Sequence, residues 1–461
     1  MTRGLSRSLL VLLLSLAAGS FFGCAGSPET TAPVEPPSDF SASGTQDVPD
    51  EWWTTFENDR LNAVVDSATA SNFTLRTAWE RVQAARAVVD RESGALFPDL
   101  QADGQARVSR TESAESDVET GEDFSAGLSS AYEVDLWGRI RSRVQAEQLR
   151  FEATQADYQA AALSLSAEVV RAWVQLAEAR SQLQLVEQQV ETNVTVLNLL
   201  ESRFNTGQIQ SVDVLRQRQL VESTREQQAA AESRVQVVEH RLAVLLGRPP
   251  QAGVEAPPDS LPTLPPLPET GVPTDLIQRR PDVQSAFHRL QAADRDLAAA
   301  ISDQFPRLSL SASASTAAES AQDLFQTWAY SFAGNLLAPI FRGGELRAEV
   351  DRSAAVKQQR LYEYGQTILT AFQEVEDALI QEQKQQEQIQ RIRRQIELAQ
   401  QAYEQLRLQY LNGSGDYLDV LTALDEVQQL QRDLLSARLT RVQDRIGLYR
   451  ALAGAFETGR E

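Results

Sequence analysis

Leu308, Ser309, Leu310, Ser311, Ala312, Ser313, Ala314 and Ser315 place four apolar side chains on one face of an extended chain and four serines on the other. Successive side chains of a strand point to opposite faces, so this alternation predicts a strand with one greasy and one wet side. Three other stretches read the same way. Leu100, Ala102, Gly104, Ala106 and Val108 stand opposite Gln101, Asp103, Gln105, Arg107 and Ser109. Phe124, Ala126, Leu128, Tyr132, Val134 and Leu136 alternate mainly with polar or small residues, as Trp328, Tyr330, Phe332 and Leu336 do with Ala329, Ser331, Ala333 and Asn335. Strands are therefore expected at about 100–109, 124–136, 308–316 and 327–337, and the polar, acidic Thr111 to Glu122 reads as a loop. A half-buried soluble sheet alternates too. Length favours a membrane barrel, because tilted strands of about 9–11 residues cross a bilayer. The wet faces carry Ser, Gln, Asp and Arg, which suits a water-filled lumen. Four strands are too few to close, since single-chain barrels have at least about eight and an open edge in lipid leaves backbone groups unsatisfied. The barrel must be shared among copies of the chain.

Outward from the strands lie very long helices. Gly138 to about Phe204 contains no proline and no internal glycine. Phe151, Thr154, Tyr158, Ala161, Leu165, Val169, Ala172, Leu176, Ala179, Leu183, Val186 and Val190 advance by three or four residues, a coiled-coil seam. Gly344 to about Leu411 repeats the arrangement with one internal glycine, Gly365. At 1.5 Å per residue each helix is on the order of 100 Å long. Asn205–Thr206–Gly207 and Asn412–Gly413–Ser414–Gly415 stop them, and Val212 to Leu246 and Tyr417 to Leu452 return as antiparallel partners.

These elements occur twice because the chain is duplicated. Ala78, Trp79, Arg81 and Val82 recur as Ala286, Phe287, Arg289 and Leu290, and Phe97–Pro98 recurs as Phe305–Pro306, all shifted by 208. Gly138, Val144 and Tyr158 match Gly344, Val350 and Tyr364, and Gly207, Asp213 and Leu215 match Gly413, Asp419 and Leu421, now shifted by 206. Copy one is thus two residues longer between Leu100 and Gly138. The copies span 59–248 and 274–454. Between them, Arg248 to Pro273 holds nine of the chain's 18 prolines, an extended segment that cannot join a helix or a central strand. A tail occupies 455–461.

At the N-terminus, Arg3 and Arg7 precede the apolar run Leu9 to Ala18, and Gly23 precedes Cys24. This is the pattern of a cleaved signal peptide, 1–23, and is too short to span a membrane as a helix. Cys24, the only cysteine, resembles the acylated cysteine of a bacterial lipobox, and 24–58 then forms a lipidated tether. Ala25 after it fits the sorting pattern for the outer membrane. Net charge is −21, more negative still once Arg3 and Arg7 leave, which makes the chain a poor candidate for nucleic-acid binding, since that relies on dense positive charge. No P-loop, zinc spacing or nucleophile elbow occurs, and His240 and His288 stand alone on helices. No enzyme, no cofactor other than the lipid on Cys24 and no metal site is expected.

Leu276–Ile277–Gln278–Arg279–Arg280–Pro281–Asp282–Val283, followed by Phe305–Pro306, resembles a signature of TolC-type outer-membrane efflux proteins. Pro339–Ile340–Phe341–Arg342–Gly343–Gly344, Asp135–Leu136–Trp137–Gly138–Arg139 and Trp52–Trp53–Thr54–Thr55–Phe56 resemble their lipoprotein branch, the OprM/NodT-like outer-membrane factors. The resemblance runs from Cys24 to about Gly454. It implies an α+β membrane protein, an internally duplicated protomer with four transmembrane β-strands and long α-helical hairpins. It further implies a homotrimer with a 12-stranded β-barrel continuous with a periplasmic α-barrel. Its partners would be a periplasmic adaptor and an inner-membrane resistance–nodulation–division (RND) pump, in a system passing drugs or other small molecules outward. The family also serves one-step (type I) protein secretion, and the Arg-Arg-Pro-Asp signature favours efflux.

The same resemblance puts a periplasmic gate at Tyr410 and Asp419 beside the second tip. Two positions depart from the family pattern: Thr422 stands where relatives carry Asp, and Gly415 where some carry Arg. Asp416 and Asp425 are the candidate substitutes. Gly207, Asp213, Gly413 and Gly415 mark the hairpin tips where an adaptor would dock. Magnitudes limit the mechanism. Carboxylates about 6 Å apart in water repel by roughly 0.7 kcal/mol per pair before screening, so a ring of Asp419 residues favours opening slightly, and closure must come from packing and from hydrogen bonds such as those available to Tyr410.

Overall fold

The computed structural model describes residues 33–113, 116–254 and 260–459, the side chains of 111–119 excepted. The expected signal peptide and Cys24 lie outside these residues. The chain divides into two compact units, Met1–Glu35 and Pro36–Glu461, and every helix and strand among the described residues belongs to the second.

Two short helices come first, α1 (Asp59–Ser71) and α2 (Phe73–Ser93). Each starts at an asparagine whose side-chain oxygen accepts a first-turn N–H: Asn58 from Leu61 at 3.1 Å and Asn72 from Leu75 at 3.0 Å. Asn72 also donates through Nδ2 to the Leu245 carbonyl at 2.9 Å, so one residue caps a helix and ties down the end of the first hairpin. Next come β1 (Asp99–Ser113), β2 (Ser116–Val134), α3 (Arg139–Asn205) and α4 (Ser211–Leu245). After the proline-rich linker the order repeats as α5 (Pro273–Arg279), α6 (Pro281–Ser302), β3 (Arg307–Ala318), β4 (Ala329–Leu337), α7 (Glu345–Leu411) and α8 (Tyr417–Leu452). No helix among the described residues is long and apolar enough to cross a membrane.

The strands form one antiparallel sheet in the order β1-β2-β3-β4, with β1 and β4 as its edges. The greasy face is bare in the protomer: Leu100, Val108, Tyr330 and Phe332 are 70–78% exposed. Of Thr111 to Glu122, expected as a loop, the described residues 111–113 and 116–122 are instead strand. Here β1 and β2 continue as a two-stranded ribbon with Arg110 opposite Thr120 and Thr111 opposite Glu119. Ladder pairing needs only backbone groups, so a polar stretch of sequence without an alternating apolar set can still extend a hairpin. At its other end β2 stops at Val134, short of Leu136.

Strand passes to long helix through glycine in both copies. Gly138 (φ +77°) and Gly344 (φ +90°) sit immediately before α3 and α7, a backbone conformation that side-chain-bearing residues resist. Both long helices run for 67 residues. From Ala162 to Ala179, α3 is buried on most sides, because the N-terminal segment, α1 and α8 all cover it. There Trp52 is fully buried, stacks on Tyr449 at 5.7 Å and donates its indole N–H to Ser166 Oγ at 3.2 Å. Trp53 meets Phe456 edge-on at 4.9 Å. Residues 40–48 are strapped to the linker, Gly44 N–H donating to the Pro268 carbonyl at 2.9 Å and Glu269 N–H to that of Gln46 at 2.7 Å.

Two buried arginines hold this midsection. Arg280 forks onto Asp282 (2.7 Å) and Glu374 (2.8 Å) and also donates to the Ala451 carbonyl, tying the α5–α6 corner to α7 and α8. Arg445 pairs with Glu382 and donates to the carbonyls of Pro265 and Pro266 at 2.7 and 2.9 Å. The first explains why the Arg-Arg-Pro-Asp signature needs its second arginine and its aspartate.

Candidate functional site

The two hairpin tips are built alike. Gly207 (φ +72°) and Gly413 (φ +74°) end α3 and α7 in the left-handed conformation. Gln208 N–H returns to the Arg203 carbonyl and Ser414 N–H to that of Gln409, both at 2.9 Å, closing the orphan carbonyls of each helix end. The restarts differ. Asp416 caps α8, its carboxylate accepting from Leu418 N–H at 2.9 Å, whereas Gln210 before α4 makes no side-chain cap.

Between the tips lies a small core of Leu200, Val214, Tyr417 and Val420, flanked by Tyr403 and Tyr410. Tyr417 is 3% exposed and donates its hydroxyl to Gln217 Oε1 at 2.6 Å. The Tyr410 ring lies 5.3 Å from that of Tyr417, and the Arg203 guanidinium stands over Tyr410 at 5.7 Å. The Tyr410 hydroxyl is buried and meets no partner among the described residues, so within the protomer it is Tyr417, not Tyr410, that makes the closing hydrogen bond. Burial raises the Tyr417 phenol well above its usual range, with the neighbouring Tyr410 adding to it. Burial likewise pushes the Asp213 carboxyl up, helped by the Asp416 charge and opposed by Arg216. Arg216 stands 3.8 Å from Asp416.

Above this core the hairpins are joined by amides. Gln217 Nε2 donates to the Asn193 carbonyl at 2.7 Å, and Asn193 Nδ2 donates to Thr224 Oγ1 at 2.8 Å. Asn193 and Gln428 exchange hydrogen bonds at 3.1 and 2.9 Å. Gln189 then reaches the Gln428 carbonyl at 3.1 Å, and Gln182 the Arg432 carbonyl at 2.8 Å. Gln182, Gln189, Asn193, Gln217, Thr224 and Gln428 are all buried. A buried amide left unpaired costs about 1–3 kcal/mol, so the network fixes the register of one hairpin on the other.

Of the residues expected at a gate, the structure brings Tyr410 and Asp416 together, with the tip residue Asp213 beside them. Asp419 and Thr422 are exposed, Thr422 returning its hydroxyl to the Leu418 carbonyl at 2.9 Å. Asp425 is exposed, farther along α8 from the tip. Gly415 packs against Gln409 and the Tyr410 backbone, where a β-carbon would come within 3.1–3.2 Å. Tyr417, Gln217, Arg203 and Arg216 were not foreseen. The duplication carried a signal for one of them: shifted by 206, Arg216 is the counterpart of Thr422, and Phe204 that of Tyr410.

A sheet with one greasy face and two open edges, feeding duplicated helices of this length, defines a channel protomer whose barrel is completed by other copies. The model of the outer membrane efflux protein family matches residues 64–248 and again 272–454, and the chain belongs to that family. It is 34% identical over 437 residues to the pyoverdine export outer membrane protein OpmQ of Pseudomonas aeruginosa, covering 92% of this chain and 91% of that protein. It is 32% identical to the solvent efflux pump outer membrane protein SrpC of Pseudomonas putida, over 87% of this chain and 86% of that one. The solved structure of the outer-membrane channel OprN superposes with a TM-score of 0.85 at 29% identity, over 94% of this chain and 99% of the other. The protein is thus an outer-membrane efflux channel of a tripartite system. It assembles as a trimer, extends into the periplasm and works with a periplasmic adaptor and an inner-membrane pump.

Proposed function

We propose that the channel passively conducts small organic molecules, drugs among them, delivered by an RND pump, and discriminates little between them. The observation that carries this reading is kinship along about nine-tenths of the chain with OpmQ and SrpC, whose names state pyoverdine export and solvent efflux. Deleting the chain from its host is expected to raise intracellular accumulation of a fluorescent organic dye severalfold, with restoration by the native gene. Unchanged accumulation of every organic probe, alongside sensitised growth on metal salts, would redirect the cargo to cations.

The hairpin tips supply the periplasmic gate in this reading, Gly207, Asp213, Gly413 and Gly415 forming the surface an adaptor grips. Packing of Tyr410 and Tyr417 holds the tips together while the exposed Asp419 carboxylates attract cations. Asp419→Asn is expected to lower cation selectivity in planar bilayers and weaken block by trivalent cations. An unchanged reversal potential together with unchanged block removes Asp419 from the conduction path.

Cys24 carries the lipid in the same proposal. One acyl chain binds membranes weakly, so the barrel supplies most of the anchoring and the lipid directs sorting and folding. Cys24→Ser is expected to abolish incorporation of radiolabelled palmitate; retained label would place the acyl group elsewhere.

A further inference from the structure

At the midsection α8 packs on both α3 and α7. One face of these three helices carries the N-terminal segment and the linker. There Trp173 lines a cavity with Phe56 and Leu61, Phe372 meets Phe40 at 6.3 Å, and Glu376 accepts from Ser41 N–H at 2.9 Å. Arg445 and Tyr449 reach Pro265 and Trp52 from the same side. A helix turns by about 100° per residue, so a position two residues away faces the opposite direction. Arg171 stands two residues from Trp173, Glu374 two from Phe372 and Glu376, and Gly447 two from Arg445 and Tyr449.

Those three residues line a single cavity of 410 Å³ together with Asp377, Asp444 and Arg450. A segment strapped across a ring of helices lies outside the ring, because chain threaded through the middle would plug the duct. The cavity is on the other face. It therefore opens on the lumen, once in each subunit.

Its donors outnumber its free acceptors. Arg171 is half-buried, and its guanidinium makes no hydrogen bond or ion pair among the described residues. It lies against the bare backbone of Gly447, Nη2 standing 3.6 Å from where a β-carbon would be. Arg450 gives one N–H to Glu374 at 2.9 Å, while its Nε is buried without a partner among the described residues. Burial holds the Arg171 guanidinium below its usual range, and the charge of Arg450 adds to this. A guanidinium offers five N–H groups in a planar fork that matches a carboxylate, and buried charges are normally paired. What Arg171 lacks is an anion. The chain does not supply it. Glu374 is already engaged by Arg280 and Arg450. Burial pushes the Asp444 carboxyl up to about 6, Glu382 adding to the rise and Arg171 opposing it. With Asp377, Asp444 and Glu374 on its walls, the cavity repels a doubly charged guest such as a phosphate dianion and suits a single carboxylate.

We propose that Arg171 is the binding group of a carboxylate station on the lumen wall, where solutes carrying one carboxylate pause on their way out. The station rests on the efflux-channel reading and names a class of cargo for it. Arg171 supplies the fork, Arg450 adds positive charge beside it, and Asp444 in the same cavity competes for both. That competition keeps the hold weak. A conducting site must bind well enough to admit a solute and loosely enough to release it.

The test titrates the full-length trimer in detergent with para-fluorobenzoate and reads the fluorine NMR linewidth, with para-fluorobenzamide as the uncharged control. Native protein should broaden the benzoate line and leave the benzamide line sharp. Arg171→Gln should weaken binding about tenfold, the effect of losing one charge-assisted contact, and Arg171→Lys should retain part of it. Asp444→Asn should tighten binding, an effect opposite in sign to that of a damaged fold. Equal binding by native and Arg171→Gln protein, or no tightening in Asp444→Asn, overturns the station. Inorganic phosphate displacing the probe as readily as acetate does would overturn the choice of a carboxylate. In planar bilayers, benzoate should reduce the single-channel current of native protein and leave that of Arg171→Gln unchanged. Native protein that conducts no ions would instead overturn the channel reading, whatever the binding result.

Discussion

Arg445→Ala should lower the melting temperature of the helical midsection sharply, because breaking a buried ion pair from one side costs about 3–5 kcal/mol. Arg445 and Glu382 are 2% and 7% exposed in their side chains. Truncation leaves the Glu382 carboxylate without its fork and strands the carbonyls of Pro265 and Pro266, which have been drawn onto α8. The first loss is the larger. Arg445→Leu combined with Glu382→Leu should therefore recover most of the stability, since a buried ion pair replaced by apolar side chains is often neutral or better. Far-ultraviolet circular dichroism in detergent reads the midpoint, and proteolysis reads release of the linker. Equal midpoints for native and Arg445→Ala protein would show that the pair contributes nothing.

Trp52→Ala should be comparably damaging for a different reason. Removing a fully buried tryptophan costs about 3–5 kcal/mol through lost apolar burial and the cavity left behind. Trp52 also loses its stack on Tyr449 and its hydrogen bond to Ser166. The damage should be local, freeing the N-terminal segment before the helices melt. Hydrogen exchange should rise in residues 40–56 and over the facing stretch of α3, with the hairpin tips unaffected. Uniform protection in all three regions would mean the segment is held by its backbone strap to the linker alone. Trp52→Phe retains the ring contact and lacks the indole N–H, so it separates packing from hydrogen bonding.

Much of this architecture was readable from residues alone because its two main signals are periodic. Leu308 to Ser315 alternates so strictly that only a strand satisfies it, and Tyr158 to Val186 steps at a coiled-coil interval over several turns. The ribbon beyond Ser109 carries no such signal, since its sequence lacks an alternating apolar set and ladder pairing needs only backbone groups. The amides were hidden for the opposite reason. Gln182, Gln189 and Asn193 occupy core positions of α3, yet a polar residue in an apolar seam reads as a surface residue until its partner is known. Gln428, the partner of Asn193, lies 235 residues away. At the tips, resemblance reached Tyr410 and duplication located Asp213 and Asp419. Neither indicated that Asp416 would cap α8 beside Arg216, or that Tyr417 would bury its ring between the hairpins.

The joint between the hairpins has one further property. Asparagine, glutamine and threonine neither gain nor lose a proton anywhere near the conditions a bacterium meets. Small solutes outside the cell equilibrate with the space this joint occupies, so sudden acidification arrives there undamped. A clasp made of carboxylates would loosen under that stress, whereas one made of Asn193, Gln217 and Gln428 holds the same alignment in sour and alkaline surroundings alike.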